Sequence, residues 1–137
     1  MSQPSDSLTI AAAGLRAQSA RMRIIAENLA NASSTAREPG GDPYRRQIPV
    51  FEAELDRQTG LELVRMDRVS ADQSEFELVH EPGHPAADAE GYVRYPNVNT
   101  LIELMDMREA QRSYEANLNM VESSRAMMQR ALDLLRR

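Results

Sequence analysis

LTIAAAGLRAQSARMRIIAENLANA, residues 8–32, decides the fold. Its apolar and small residues fall at 8, 11, 15, 18, 22, 25, 29 and 32, in alternating steps of three and four, with Gln18 the one polar exception. This is a heptad seam, the pattern of a helix that packs lengthwise against another helix. Leu8, Leu15, Met22 and Leu29 hold one heptad position, while Ala11, Gln18, Ile25 and Ala32 hold the other. Ser7 or Asp6 is placed to cap its start. Gly14, set among Ala11, Ala12, Ala13 and Ala17, leaves room for a close helical neighbour.

The neighbour lies at the other end of the chain. Pro96 and Asn97 open a second helical pattern that continues to the C-terminus, about 40 residues or ~60 Å. Its apolar seam reads Leu104, Met107, Gln111, Tyr114, Leu118, Val121, Arg125, Met128, Leu132 and Leu135. In an antiparallel pair within one chain, facing residue numbers sum to a constant. A sum of 143 sets Leu8 against Leu135, Met22 against Val121, Leu29 against Tyr114 and Ile25 against Leu118. It also puts Gln18 and Arg125 in one polar layer able to specify the register.

Between the helices the pattern changes. SSTAREPGGDP, residues 33–43, gathers Ser, Gly and Pro into a helix breaker. Tyr44 to Phe51 reads as an edge strand interrupted by Pro49. Leu61 to Val69 and Ser74 to His80 are strands, the latter with Phe76, Leu78 and His80 on one face. EPGHPAADAEG, residues 81–91, is a turn-rich loop, and Tyr92 to Tyr95 is one more short strand. The expected fold is therefore mainly α with a small β-rich insert: two long terminal helices forming an antiparallel coiled coil, and a middle segment of short antiparallel strands and loops. The segments are 1–35 and 97–137 for the helical core and 36–96 for the insert.

Composition narrows the chemistry. The 137 residues include no cysteine, and all 16 basic side chains are arginine. Disulfides, thiolate nucleophiles and cysteine-bound metals are excluded, as are the phosphate-binding lysine of a P-loop and a Schiff-base lysine. Leu, Ile, Val and Phe make up 27 of the 137 residues, at the edge of what a chain needs to fold alone. The core is thin, which points to help from partner molecules. Charge is uneven: net +1 over 1–35, −6 over 36–96 and 0 over 97–137. Without a basic patch beyond Arg45-Arg46 and the terminal arginines, nucleic acid is not an expected partner. No apolar run is long enough for membrane insertion, and the first 30 residues lack the pattern of a cleaved secretory signal.

His80-Glu81-Pro82-Gly83-His84 spells the HExxH of zinc hydrolases, but that chemistry needs both imidazoles on one helical face. Pro82, Gly83 and Pro85 forbid the helix, so a rigid turn is expected in place of a metal site. Asp88-Ala89-Glu90-Gly91 with Asp42 lacks the twelve-residue rhythm of a calcium loop. Ser33, Ser34, Ser123 and Ser124 have no adjacent base. No catalytic residue, cofactor site or metal site is expected, and the chain is not expected to be an enzyme.

Two stretches resemble one known family. GLRAQSARMRIIAENLANASSTAREPGGDPYRRQIPVF, residues 14–51, and EPGHPAADAEGYVRYPNVNTLIELMDMREAQRSYEANLNMVESSRAMMQRAL, residues 81–132, together resemble the bacterial flagellar basal-body rod proteins. The residues that carry this are Asn28 and Asn31 in the first helix, Tyr44, the Pro82-Gly83-His84-Pro85 turn, Gly91-Tyr92 and Pro96-Asn97. The second signature points within the family to a proximal-rod subunit. The resemblance covers about two thirds of the chain and implies a structural role in motility. Members of that family are made in the cytoplasm, exported unfolded by the flagellar type III apparatus without a cleaved signal, and polymerise in the periplasm. The resemblance implies as partners copies of the chain, other rod and basal-body proteins, and the export apparatus. It also implies that the terminal helices form the inner coiled-coil layer of the rod. The seam and subunit-interface residues would then be Leu8, Leu15, Gln18, Met22, Ile25, Leu29, Leu104, Tyr114, Leu118, Val121, Arg125, Met128 and Leu132. The alternative is a soluble coiled-coil adaptor or secretion chaperone that stays in the cytoplasm; a zinc hydrolase built on His80 and His84 ranks third. The thin core and two seams further predict a free monomer whose terminal segments are largely unstructured until assembly.

Overall fold

A computed structural model describes residues 3–136. In chain order it contains α1 (Pro4–Ala30), β1 (Gln47–Leu55), β2 (Glu62–Ala71), β3 (Glu77–His80), β4 (Tyr92–Tyr95) and α2 (Thr100–Leu135). The two long terminal helices and the middle of short antiparallel strands match the expected fold class. Strands β1 and β2 form one two-stranded sheet, β3 and β4 another.

The element boundaries have local causes. α1 begins before the expected caps: the Gln3 carbonyl accepts from Asp6 N at 2.9 Å and Ser7 N at 3.1 Å. Pro4 then sits at the first helical position, where a missing N–H costs nothing. α1 ends two residues short of Ala32, where the Asn31 side chain turns back to donate to the Glu27 carbonyl at 2.8 Å. α2 starts at Thr100 rather than at Pro96, because Asn99 Oδ1 caps it by accepting from Leu101 N at 3.1 Å. At 1.5 Å per residue, the 27 residues of α1 and the 36 of α2 run ~40 and ~54 Å.

The chain forms two compact units that share the long elements. One holds the described residues up to Met22, Pro49–Arg68, and α2 from Arg108 on. The other holds Arg23–Ile48 and Val69–Met107. Each of the three sequence segments thus contributes to both units.

In the first unit α1 lies against α2, and the β1–β2 hairpin turns at Asp56–Leu61. Asp56 organises that turn, its carboxylate accepting from Gln58 N and Thr59 Oγ1, both at 3.0 Å. Gly60 closes it with φ of 75°, a conformation open to glycine at no steric cost. In the second unit β3 pairs antiparallel with β4, Val79 opposite Val93 and His80 opposite Tyr92. Val93 is fully buried while Leu78 is 59% exposed. The inward face of β3 is therefore that of Val79, while Leu78 and His80 on its other face are exposed.

The core is small, as the composition implies. Its buried apolar residues among those described are Ala11, Ala13, Ala17, Ile24, Ile25, Ala86, Val93 and Ala110, five of them alanine. Asn28, Glu103 and Ser124 are buried with them.

Candidate assembly surface

Three contacts establish how the helices face each other. In the first unit a Cβ built on Gly14 would lie 2.5 Å from Asn117 Oδ1, and Arg21 reaches Glu109 at 3.7 Å. In the second unit Asn28 Nδ2 donates to Glu103 Oε2 at 3.4 Å. The facing numbers sum to 131, 130 and 131. The helices are antiparallel, but the expected sum of 143 is wrong by about twelve residues. Met22 and Val121 are not a facing pair, and Gln18 does not share a layer with Arg125. Gln18 instead accepts from Arg21 Nη1 at 3.5 Å on its own helix.

The register differs because α2 turns another face to α1 than the apolar one. A sum of 131 sets the heptad row 7, 14, 21 and 28 of α1 against 124, 117, 110 and 103 of α2. Ala110, Ser124 and Glu103 on that row are all essentially buried, and Asn117 is half-buried with its amide donating to the Ser113 carbonyl at 2.9 Å. These side chains are small or polar, and the absent side chain of Gly14 lets the helices approach there. The apolar row lies one residue further round. Leu104, Leu118 and Leu132 on it are 51%, 38% and 51% exposed. Met128 and Arg125 are exposed as well, while Tyr114 and Val121 are half-buried at the border of the two faces. On α1, Ile25 is buried, and Leu8, Leu15, Gln18, Met22 and Leu29 are half-buried.

The second unit is held by a polar clasp that sequence reading missed. Asn28 Oδ1 accepts from Tyr44 Oη at 2.6 Å and Gln47 N at 2.9 Å, and Asn28 Nδ2 donates to the Gln47 carbonyl at 2.9 Å. The side-chain amide of a helix residue thereby pairs with the first residue of β1 as a neighbouring strand would. Burial, then the fields of Glu27 and Glu103, push the Tyr44 phenol above its usual range, so it remains a donor. Next to Asn28, the Arg46 guanidinium pairs with Glu103, with Asp72 at 3.3 Å and with Asp106 at 3.7 Å. Asp72 is held below the usual carboxylate range by the Ser74 N–H and hydroxyl, and further by Arg46. Asn97 completes the clasp: it accepts from Arg46 N at 2.7 Å and donates to the Asp72 carbonyl at 2.9 Å. Buried polar groups of this kind hold a fold only when every partner is present. The available signal was an asparagine inside an apolar helix followed by the adjacent arginines 45 and 46.

No reactive constellation emerges from the histidine loop. His84 Nδ1 accepts from Ala86 N at 3.0 Å within its own turn, and the His80 ring stands edge-on to Tyr92 at 4.9 Å. Asp88 Oδ1 accepts from Glu90 N and Tyr92 N, both at 2.9 Å, and Asp42 pairs with Arg94 at 2.7 Å. No helix among the described residues is long and apolar enough to cross a membrane.

Residues 89–134 match the family described as Flagellar basal body rod FlgEFG protein C-terminal. Over almost its whole length the chain is also similar to proteins named flagellar basal-body rod protein FlgC. It is 49% identical to that of Agrobacterium fabrum over 127 residues, 93% of this chain and 91% of the relative. The chain belongs to the FlgC family. The Salmonella typhimurium FlgC is 40% identical, covering 91% of this chain and 92% of its own. That of Bacillus subtilis is 34% identical, covering 93% and 95%.

The residues that carried the resemblance to FlgC sit at structural junctions of the second unit. Asn28, Tyr44 and Asn97 belong to the clasp, and Asn31 finishes α1. Pro82, Gly83 and Pro85 are exposed in the turn between β3 and β4, with His84 half-buried beside them. Gly91 is buried with φ of 89°, and a Cβ there would meet His80 Nε2 and Pro82 Cγ at 3.1 Å. Tyr92 opens β4 and stays 40% exposed, and Pro96 is buried after its end.

Proposed function

We propose that this chain is a structural subunit of the proximal rod of the bacterial flagellar basal body, with no catalytic role and no bound cofactor or metal. It is exported by the flagellar type III apparatus without a cleaved signal and polymerises in the periplasm with copies of itself and other rod proteins. The terminal helices, 1–35 and 97–137, carry the polymer contacts, and 36–96 forms the accompanying β-rich part. The observation that supports this is the outward apolar row of α2. A helix that keeps Leu104, Leu118 and Leu132 outside, while covering its own partner helix with Ala110, Asn117 and Ser124, reserves its most hydrophobic face for another molecule.

The test is expression in a strain lacking its own FlgC, followed by isolation of basal bodies and a swimming assay. The native chain is expected to restore swimming and to co-purify with basal bodies. Leu118→Asp is expected to stay folded and to fail at incorporation. Retention of the native chain in the cytoplasm on a soluble partner would overturn this reading in favour of an adaptor.

A further inference from the structure

We propose that Met120, Met127 and Met128 are an oxidation site that controls assembly: hydrogen peroxide converts their thioethers to sulfoxides in the free subunit, and the oxidised subunit no longer joins its partners. This control rests on the rod-subunit reading and acts on the face that reading assigns to assembly.

Composition directs two-electron oxidants to methionine. The chain has no cysteine and no tryptophan, so the thioether is its softest nucleophile. Among the described residues no methionine is buried. Met22, Met66 and Met107 are half-buried, whereas Met120, Met127 and Met128 are 50%, 46% and 37% exposed.

These three gather at one end of the first unit. From Arg125 to Leu135 every side chain of α2 is exposed. The cause is length: α1 begins at Pro4, which a facing sum of 131 sets opposite residue 127, leaving the turns beyond it without a partner helix. Steps of seven put Met120, Met127 and Leu134 in one row and Met128 with Leu135 in the next. Ala131 lies between the rows, and Leu132 follows Met128 by one turn. Of the six large apolar side chains exposed from 120 to 135, three are methionine and three leucine, so sulfur chemistry reaches half of this face. The opposite face is polar, with Gln129 Nε2 donating to Asp133 at 3.2 Å.

The step needs only the thioether and the peroxide. A sulfur lone pair attacks one peroxide oxygen and forms the S–O bond. The O–O bond breaks, and the second oxygen leaves with its electron pair, takes the proton of the transferred oxygen and departs as water. Sulfur is oxidised by two electrons and the peroxide reduced by two. A flexible apolar side chain thereby becomes a polar one. In the free subunit the sulfoxide oxygen stays in water and costs the fold little. In an assembled contact it would be buried, where a polar group without a partner is unfavourable. Oxidation therefore acts on assembly rather than on folding. Enzymatic reduction of the sulfoxide reverses it, and a partner seated on the face shields the sulfurs, so the control falls on subunits awaiting assembly.

Purified subunit treated with hydrogen peroxide and mapped by mass spectrometry should gain an oxygen at Met120, Met127 and Met128 before Met22 and Met66, with its urea midpoint unchanged. In a strain lacking its own FlgC, the variant Met120→Leu, Met127→Leu, Met128→Leu should enter basal bodies as the native chain does. Under sublethal peroxide it should continue to do so, while incorporation of the native chain falls by about tenfold or more, the factor that burying one methionine side chain supplies. Met120→Gln, Met127→Gln, Met128→Gln, polar at similar length, should show that fall without peroxide. Equal falls of the native chain and the leucine variant, native incorporation of the glutamine variant, or faster oxidation of Met22 and Met66 would overturn the control and leave the rod-subunit reading standing. If leucine at all three positions does not assemble, overproduced methionine sulfoxide reductase is the second measurement: it should restore the native chain under peroxide, and no restoration would overturn the control. Absence of the untreated native chain from basal bodies would overturn both.

Discussion

Replacing Glu103 tests whether the clasp holds the second unit together. The carboxylate is 1% exposed, accepts from Arg46 Nε and Asn28 Nδ2, and stands in the first turn of α2, where a negative charge is favoured by the helix dipole. Glu103→Gln keeps the volume but exchanges a charge-assisted bond for a neutral one, a loss of about 1–2 kcal/mol. Glu103→Ala removes both acceptors and leaves space beside a cation. Breaking a buried ion pair costs about 3–5 kcal/mol, but Arg46 is 23% exposed and keeps Asp72 and Asp106; that partial solvation brings the cost nearer ~2–3 kcal/mol. With so few large side chains in the core, such a loss is a sizeable share of total stability. Urea unfolding followed by far-ultraviolet circular dichroism gives the values, and a double-mutant cycle with Arg46→Ala isolates the pair. The order wild type, Gln, Ala is expected, with a coupling of about 1 kcal/mol or more. A Glu103→Ala midpoint equal to wild type, or a coupling within ~0.3 kcal/mol of zero, would refute the claim that this pair holds the unit.

Three other outcomes are expected. Gly14→Ala gains helix propensity of about 0.5–1 kcal/mol but displaces the Asn117 amide from Ser113, so it should not stabilise the chain; adding Asn117→Ala should recover the gain, and additive effects in urea would count against the close approach. Asp72 has a folded-state pKa below its ordinary value because Ser74, then Arg46, favour the charged form, so its contribution is complete above that ordinary value and disappears as pH falls through the lower one. Stability should therefore drop as pH falls below about 4, less steeply in Asp72→Asn, and identical acid limbs for the two proteins would contradict the assignment. In a proven monomer, hydrogen exchange should be fast from residue 125 onward and should slow on assembly; strong protection of those turns in the monomer would show that they are stabilised without a partner.

Much of the fold was legible because helix and strand periods differ. Steps of three and four marked α1 and α2, and the SSTAREPGGDP break at residues 33–43 marked that α1 had to stop before it. The register was not legible, and α2 shows why. Apolar periodicity reports the most hydrophobic face of a helix, and here that face, Leu104 to Leu132, is not the one covered within the chain. The covering row of Ala110, Asn117 and Ser124 has no hydrophobic signal, so the seam was placed one residue away from the intrachain contact. Gly14 held the better clue, since a glycine in mid-helix without a turn to make usually marks close packing. The clasp was hidden for a different reason: Asn28, Arg46, Asp72 and Glu103 are brought together only by tertiary structure, and each alone reads as a surface residue.

The pairing of Asn28 with Gln47 has a consequence for solubility. An exposed strand edge invites other chains to add to it, and proteins commonly guard such edges with charges, prolines or covering elements. β1 has β2 on one side, and at its start the helix amide occupies both the N–H and the carbonyl of Gln47; two residues on, Pro49 offers no donor at all. The same asparagine that ties helix to strand therefore denies a stray strand its first two hydrogen bonds. Opening that site while leaving the helix whole, as Asn28→Ala would, exposes a templating edge, so the damage from a single lost amide would spread to other molecules as misassembly rather than stay within one molecule as lost stability.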